Sequence, residues 1–141
     1  MITGAWAATV GSVTTIGTPS PGPGPGVTYT EAEITVNGSG NFTVTTPILK
    51  GEIVGVVLKN IDEASLSYNV SLKGSLGEQL TLPTLQVPAG VNAVRRYDVA
   101  DPSTPEAEIR HPVNEQCTLQ QVTTAAGWAN NKFRARIYVR D

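Results

Sequence analysis

Histidine, cysteine and methionine occur once each in this chain of 141 residues, and only 16% of its side chains are charged. Each scarcity removes a class of function. Cys117 cannot form an internal disulfide, and as a lone thiol it is expected in the core. One cysteine and one histidine cannot supply the ligand set of a zinc site. Catalysis through His111 is not expected, because it stands between Arg110 and Pro112 with no Gly-x-Ser-x-Gly elbow in the chain. An Asp-x-Asp-x-Asp-Gly calcium loop is absent. Gly22, Gly24 and Gly26 alternate with proline and precede no helix, unlike a phosphate-binding loop. No catalytic, cofactor-binding or metal-ligating residue is assigned, and the reading is not an enzyme.

Long apolar runs are missing as well. None approaches the roughly 18 residues that cross a bilayer as a helix, so no membrane partner is expected. Met1 to Val10 has no Lys or Arg ahead of its apolar residues, and Thr3, Gly4 and Thr9 dilute them. That argues against a Sec signal peptide and predicts a product not exported by that route. Asn37-Gly-Ser39, Asn41-Phe-Thr43 and Asn69-Val-Ser71 match the glycosylation pattern but are read as unmodified.

Charge is low but uneven. Residues 1–49 contain no Lys or Arg and carry net −2, residues 50–131 carry −3, and residues 132–141 carry +3. Ordinary soluble domains hold roughly 25% charged residues. A surface covered instead by Ser, Thr, Asn, Gln and Gly suits extracellular β domains and particle coats.

One segment is of low complexity, Thr18-Pro-Ser-Pro-Gly-Pro-Gly-Pro-Gly26. Its prolines remove backbone donors and its glycines remove stiffness, so it reads as a linker reaching up to about 25 Å. Residues 1–26 are therefore divided from a body at 27–141. Ile2, Trp6 and Val10 make the first residues too apolar for a plain solvated tail. They read as an arm that anchors on a neighbouring subunit, or else as a disordered tail or a strand folded back on its own sheet. Under the first reading, removing residues 1–26 leaves the body folded.

The body is patterned in twos. Ala32, Ile34 and Val36 alternate with Glu31, Glu33 and Thr35, and Phe42 and Val44 resume after Asn37-Gly38, which predicts a type I′ hairpin. Pro47 is expected to close that second strand. Glu52 to Leu58 is almost continuously apolar, as in a central strand, with Gly55 marking a bulge or close approach. Leu66, Tyr68, Val70 and Leu72 share one face, and further strands fall at 80–87, 91–99, 116–122 and 132–139. About eight strands with polar turns and no amphipathic helix predict an all-β fold, an antiparallel β-sandwich or jelly roll with an extended N-terminal arm.

In the last strand Phe133, Ala135, Ile137 and Val139 face inward, while Lys132, Arg134, Arg136, Tyr138 and Arg140 face outward. Lys132, Arg134 and Arg136 are candidates for contact with an acidic protein neighbour, or they form a solvated, self-protecting face. Nucleic acid is not expected, since the domain is net acidic and lacks interleaved exposed aromatics. Among Trp6, Trp128, Tyr29, Tyr68, Tyr97 and Tyr138, Tyr68 belongs to the core. Trp128, at the tip of a turn, is the best-placed sugar platform or protein contact. Asp62-Glu63 and Glu106/Glu108 are paired acids, but a glycosidase needs two carboxylates across a cleft, and they read as solvated loop acids.

Gly40-Asn-Phe-Thr-Val-Thr-Thr46, Gly51-Glu-Ile-Val-Gly-Val-Val-Leu58, Ser67-Tyr-Asn-Val-Ser-Leu72 and Phe133-Arg-Ala-Arg-Ile-Tyr-Val139 together resemble small β-sandwich proteins encoded among the head and virion genes of tailed bacteriophages. The resemblance covers about residues 34–139; the proline-rich arm departs from it. It implies a non-enzymatic capsid decoration or cement protein, located in the virion and bound to the major capsid protein or neighbouring virion subunits. Such proteins are often trimers, so a homo-oligomer is expected. The alternatives are another virion part (tail, neck or head fibre) or a carbohydrate-binding β-sandwich module.

Overall fold

In the computed structural model, residues 2–16, 20–21, 26–80, 84–98 and 111–141 are described. Glu106, Glu108 and most of the proline-glycine linker lie outside them, as does the side chain of His111. The strands are β1 (Ile2–Thr3), β2 (Ala7–Val10), β3 (Ser12–Thr15), β4 (Ser20–Pro21), β5 (Val27–Thr35), β6 (Thr43–Asn60), β7 (Tyr68–Lys73), β8 (Leu85–Val87), β9 (Val94–Asp98), β10 (His111–Gln121) and β11 (Lys132–Arg140). The all-β expectation holds, and the pairings among them are antiparallel.

The sandwich is organised by β6, whose 18 residues belong to both layers. Its first half lies between β10 on one side and β1 and β2 on the other, and β7 and β8 extend that layer beyond β10. Its second half lies between β9 and β11, with β5 next and then β3 and β4 at the edge. The crossing falls at Gly51. A side chain there is forbidden twice: φ is +130°, and a Cβ would lie 2.3 Å from the Arg140 carbonyl oxygen. The expected second and third strands are thus one. Pro47 does not end it, because Thr46 and Pro47 form a bulge opposite Cys117. There the Cys117 amide donates to Thr46 Oγ1 at 3.0 Å, so the missing ladder partner is replaced by a buried hydroxyl. A second bulge, at Val54 beside Gly55, shifts the register against β11, where the sequence had marked Gly55.

The Asn37-Gly38 turn is not a type I′ hairpin. Gly40, not Asn37 or Gly38, takes positive φ, and Asn37 Oδ1 accepts from the amides of Ser39 and Asn41, both at 2.9 Å. The turn passes the chain from β5 into the opposite layer, so the second run pairs with β10 and β2 rather than with the first. β10 likewise begins earlier than expected. Pro112 is tolerated there because residues 111–116 pair only with β6 and need no donor on the other side.

The N-terminal segment is part of this sandwich. β1 and β2 pair with β6 while β3 pairs with β5, so the chain bends between β2 and β3 and joins the edges of the two layers. Ile2 and Trp6 are 8% and 6% exposed, and Trp6 Nε1 donates to Thr30 Oγ1 at 2.9 Å. The expected outward arm is corrected on this evidence. Two large apolar side chains within reach of an open core edge are more stable inside than in water, by about 1.5–3 kcal/mol each.

Candidate functional site: the outer face of the β11 layer

β11 alternates as the sequence required. Phe133, Ala135, Ile137 and Val139 are fully buried. Lys132, Arg134 and Arg136 point outward, where their neighbours in register are Thr35, Glu33 and Glu31 on β5. On the other side Arg134 stands opposite Lys59 and Arg136 opposite Val57, with Val94 and Arg96 of β9 beyond them. Cross-strand neighbours on one face are close enough to interact.

The cationic strand is therefore neutralised in part. Arg136 Nη2 lies 3.2 Å from Glu31 Oε2. Glu33 is shared, 3.4 Å from Arg134 Nε and 3.9 Å from Lys132 Nζ. The acids were visible in the sequence as outward-facing residues, but their partnership depended on a register that periodicity does not reveal. Arg136 is also stacked over the Tyr29 ring at 4.3 Å, and its Nη1 donates to Tyr138 Oη at 3.2 Å. The hydrogen bond to Tyr138, with the Glu31 pair, holds its guanidinium above the ordinary arginine value. Arg96 covers the Tyr138 ring at 5.4 Å, and the two tyrosines meet at 5.5 Å. Tyr138, expected to be solvated, is 8% exposed because these neighbours cover it.

Between the strands runs a groove of about 190 Å³, lined by Glu31, Val57, Lys59, Val94, Arg134 and Arg136. It brings together Arg134 and Arg136 of the sequence candidates. Lys132 stands beside it and Val10 is half-buried on β2, paired with Thr43. Ile2, Trp6 and Trp128 are buried. Sequence reasoning missed Glu31, Lys59 and Arg96, which come from strands whose order in the layer was not legible.

Trp128 is the clearest correction. It is 0% exposed and stacks on Tyr68 at 5.1 Å with the ring planes 15° apart. The 3-10 turn Ala126–Trp128 swings the indole inward. Leu66, expected in the core, instead covers Gly127 from outside and is 46% exposed. An aromatic in a polar turn reads as exposed unless the turn geometry is known.

The acids outside the face have structural tasks. Asp62 Oδ2 accepts from the Lys132 amide at 3.0 Å. Glu63 accepts from the Ser65 amide and hydroxyl and from Asn131, and these bonds, the Ser65 amide first, hold its carboxyl below the usual range. Burial, with Glu115 and Glu78 nearby, pushes the Cys117 thiol up to about 12. Among the described residues, no three His, Cys, Asp or Glu side chains are arranged to hold a metal ion.

No protein-family model matches the sequence, and no curated protein matches it. Solved structures do. An arabinose-bound GH51 α-L-arabinofuranosidase aligns with a TM-score of 0.54 at 14% identity, covering 96% of this chain and 23% of that one. The CBM22-1 and GH10 modules of the Clostridium thermocellum xylanase 10B, complexed with xylohexaose, align at 0.43 and 13% identity over 97% and 26%. A CBM4 structure aligns at 0.38 and 12% over 97% and 95%. The chain thus spans about a quarter of the arabinofuranosidase, and that similarity establishes what the strand pairing already gave, an antiparallel β-sandwich fold.

Proposed function

We propose that this chain is a non-catalytic glycan-binding β-sandwich module whose site is the groove on the outer face of the β11 layer. One observation carries the reading: the groove sets planar charged groups, Arg134, Arg136 and Glu31, around an apolar strip of Val57 and Val94. Sugars present that mixture, hydroxyls at the rim of a ring and C–H groups on its face. Guanidinium and carboxylate groups make directional hydrogen bonds to hydroxyl pairs. At about 190 Å³ the groove is smaller than the roughly 300–1,000 Å³ of drug-sized sites, and so is scaled to one ring. The fold is compatible with this role, being shared with a region of a carbohydrate-active enzyme. Titrating the chain against a glycan panel, with Arg136→Ala as control, tests the reading. Millimolar or tighter binding lost in the variant supports it; no binding across the panel overturns it.

A second reading is favoured by the resemblance over residues 34–139: a virion component, either a head decoration or cement protein or a tail, neck or head-fibre part. On that reading Lys132, Arg134 and Arg136 meet acidic surface on the major capsid protein or a neighbouring virion subunit, in a homo-oligomer. Adding the purified chain to capsids that lack it, at low and high salt, separates this from the glycan reading.

A further inference from the structure

We infer that the groove selects a glycan bearing a carboxylate, a uronic-acid type of sugar, over a neutral one; this deepens the glycan-binding reading and rests on it. The chain as a whole carries −2, yet this face reverses the sign. Around the groove, Lys59, Lys132, Arg134 and Arg136 stand against Glu31 and Glu33. Both glutamates are already engaged, Glu31 by Arg136 and Glu33 by Arg134 and Lys132. Among the described residues Lys59 has no ion-pair partner, although it is half-buried and directly opposite Arg134. Like charges directly opposite on adjacent strands repel, and an anion seated between Lys59 and Arg134 removes that repulsion.

A second observation points to the same groove. Arg136 Nε is buried and makes no hydrogen bond, although both terminal nitrogens of the guanidinium are engaged. Buried donors are ordinarily paired, and an unpaired one is costly. The groove therefore holds unmet positive charge beside the Val57 and Val94 strip, and the arginine that lines it, Arg136, carries an unmet donor. A sugar carboxylate supplies the anion while its ring covers the valines. An acidic peptide fits less well. Peptides join sheets at edges through backbone pairing, whereas this groove opens on a face whose strands β6 and β11 already pair on both sides.

Calorimetric titration of the full chain with a glucuronate-containing trisaccharide, its neutral glucose counterpart and a glutamate-rich peptide tests the inference. The acidic sugar should bind at least about tenfold tighter than the neutral one, a margin expected of one charge-assisted hydrogen bond. Raising NaCl from about 20 to about 300 mM should erode that margin by screening. Lys59→Met should remove most of the preference, read as the ratio of the acidic to the neutral sugar's affinity. Should Lys59→Met melt lower than the parent, Lys59→Gln takes its place and the same loss of preference is required of it. Equal affinity for both sugars, abolished in each case by Arg136→Ala, overturns the acid preference and leaves the glycan reading standing. Salt-sensitive binding of the peptide alone, or no binding of any of the three, overturns both.

Discussion

Tyr68 and Trp128 lie face to face at the centre of the sandwich, and the Tyr68 hydroxyl donates to the Gly40 carbonyl at 2.6 Å. Phe133 stands edge-on to both rings and Phe42 edge-on to Phe133. The turn after β5, the start of β7, the 3-10 turn and β11 are thereby fixed in one cluster. Trp128→Ala should cost about 3–5 kcal/mol, the range for emptying a buried aromatic site. Chemical denaturation measures it. A loss below about 1 kcal/mol, within what an exposed side chain shows, contradicts the burial.

The N-terminal segment offers a sharper test, because the arm reading and the structure predict opposite results. Deleting residues 1–16 exposes the β6 and β5 edges and removes Ile2 and Trp6 from the core. The melting temperature should fall markedly or the cooperative transition vanish. Trp6→Phe keeps most of the ring and strands the Thr30 hydroxyl, so a loss of about 1–3 kcal/mol is expected. A truncated chain that melts like the parent restores the arm.

Gly51→Ala should destabilise by about 2 kcal/mol or more, since it adds backbone strain to a clash with the Arg140 carbonyl. Equilibrium unfolding of the variant decides this. A neutral effect means that β6 does not make the crossing described.

Charge reversal on β11 should not act uniformly. Lys132, with its side chain 47% exposed and 3.9 Å from Glu33, tolerates Lys132→Glu with a change within about 0.5 kcal/mol. Arg136→Glu removes the contact with Tyr29 and sets two carboxylates side by side, which should cost about 1–2 kcal/mol even after solvent screening. Thermal melts of the two single variants check the order, and equal effects contradict it.

Cys117 should stay unmodified by thiol reagents at about pH 8 in the folded protein and react at once when unfolded. Its folded value lies above the unfolded one, 9.0 moving to about 12. Below pH 9 both states keep the proton and the thiol has no effect on the balance. From pH 9 upward the unfolded chain releases it first, so stability falls as pH rises toward 12. Cys117→Ala should flatten that alkaline decline, and an unchanged slope assigns it to other groups.

How much of this was legible follows from the range of the forces involved. Alternation in β5, β7 and β11 is a local property, and it placed Ile34, Val70 and Ile137 inward correctly. The bulge beside Gly55 was legible because a glycine in an apolar strand has few other reasons to be there. Pro47 misled, since its effect depends on whether the neighbouring strand needs its missing donor. Here the bulge and the Thr46 hydroxyl remove that need. The Glu31–Arg136 pair joins residues 105 positions apart. Such a partnership is fixed by strand order and register, which no window of neighbouring residues contains. Trp128 and Trp6 were misplaced for the same reason, because what covers them comes from distant segments.

The passage of β6 through both layers has a mechanical side. In a sandwich made of two separate sheets, the layers can slide past one another by shearing side-chain contacts alone. Here such a slip would have to stretch a covalent strand held in register by β10 and β2 at one end and by β11 and β9 at the other. A load applied to the face that bears the groove therefore reaches the opposite face along the backbone itself. The two halves of this molecule should yield together, at one threshold, or not at all.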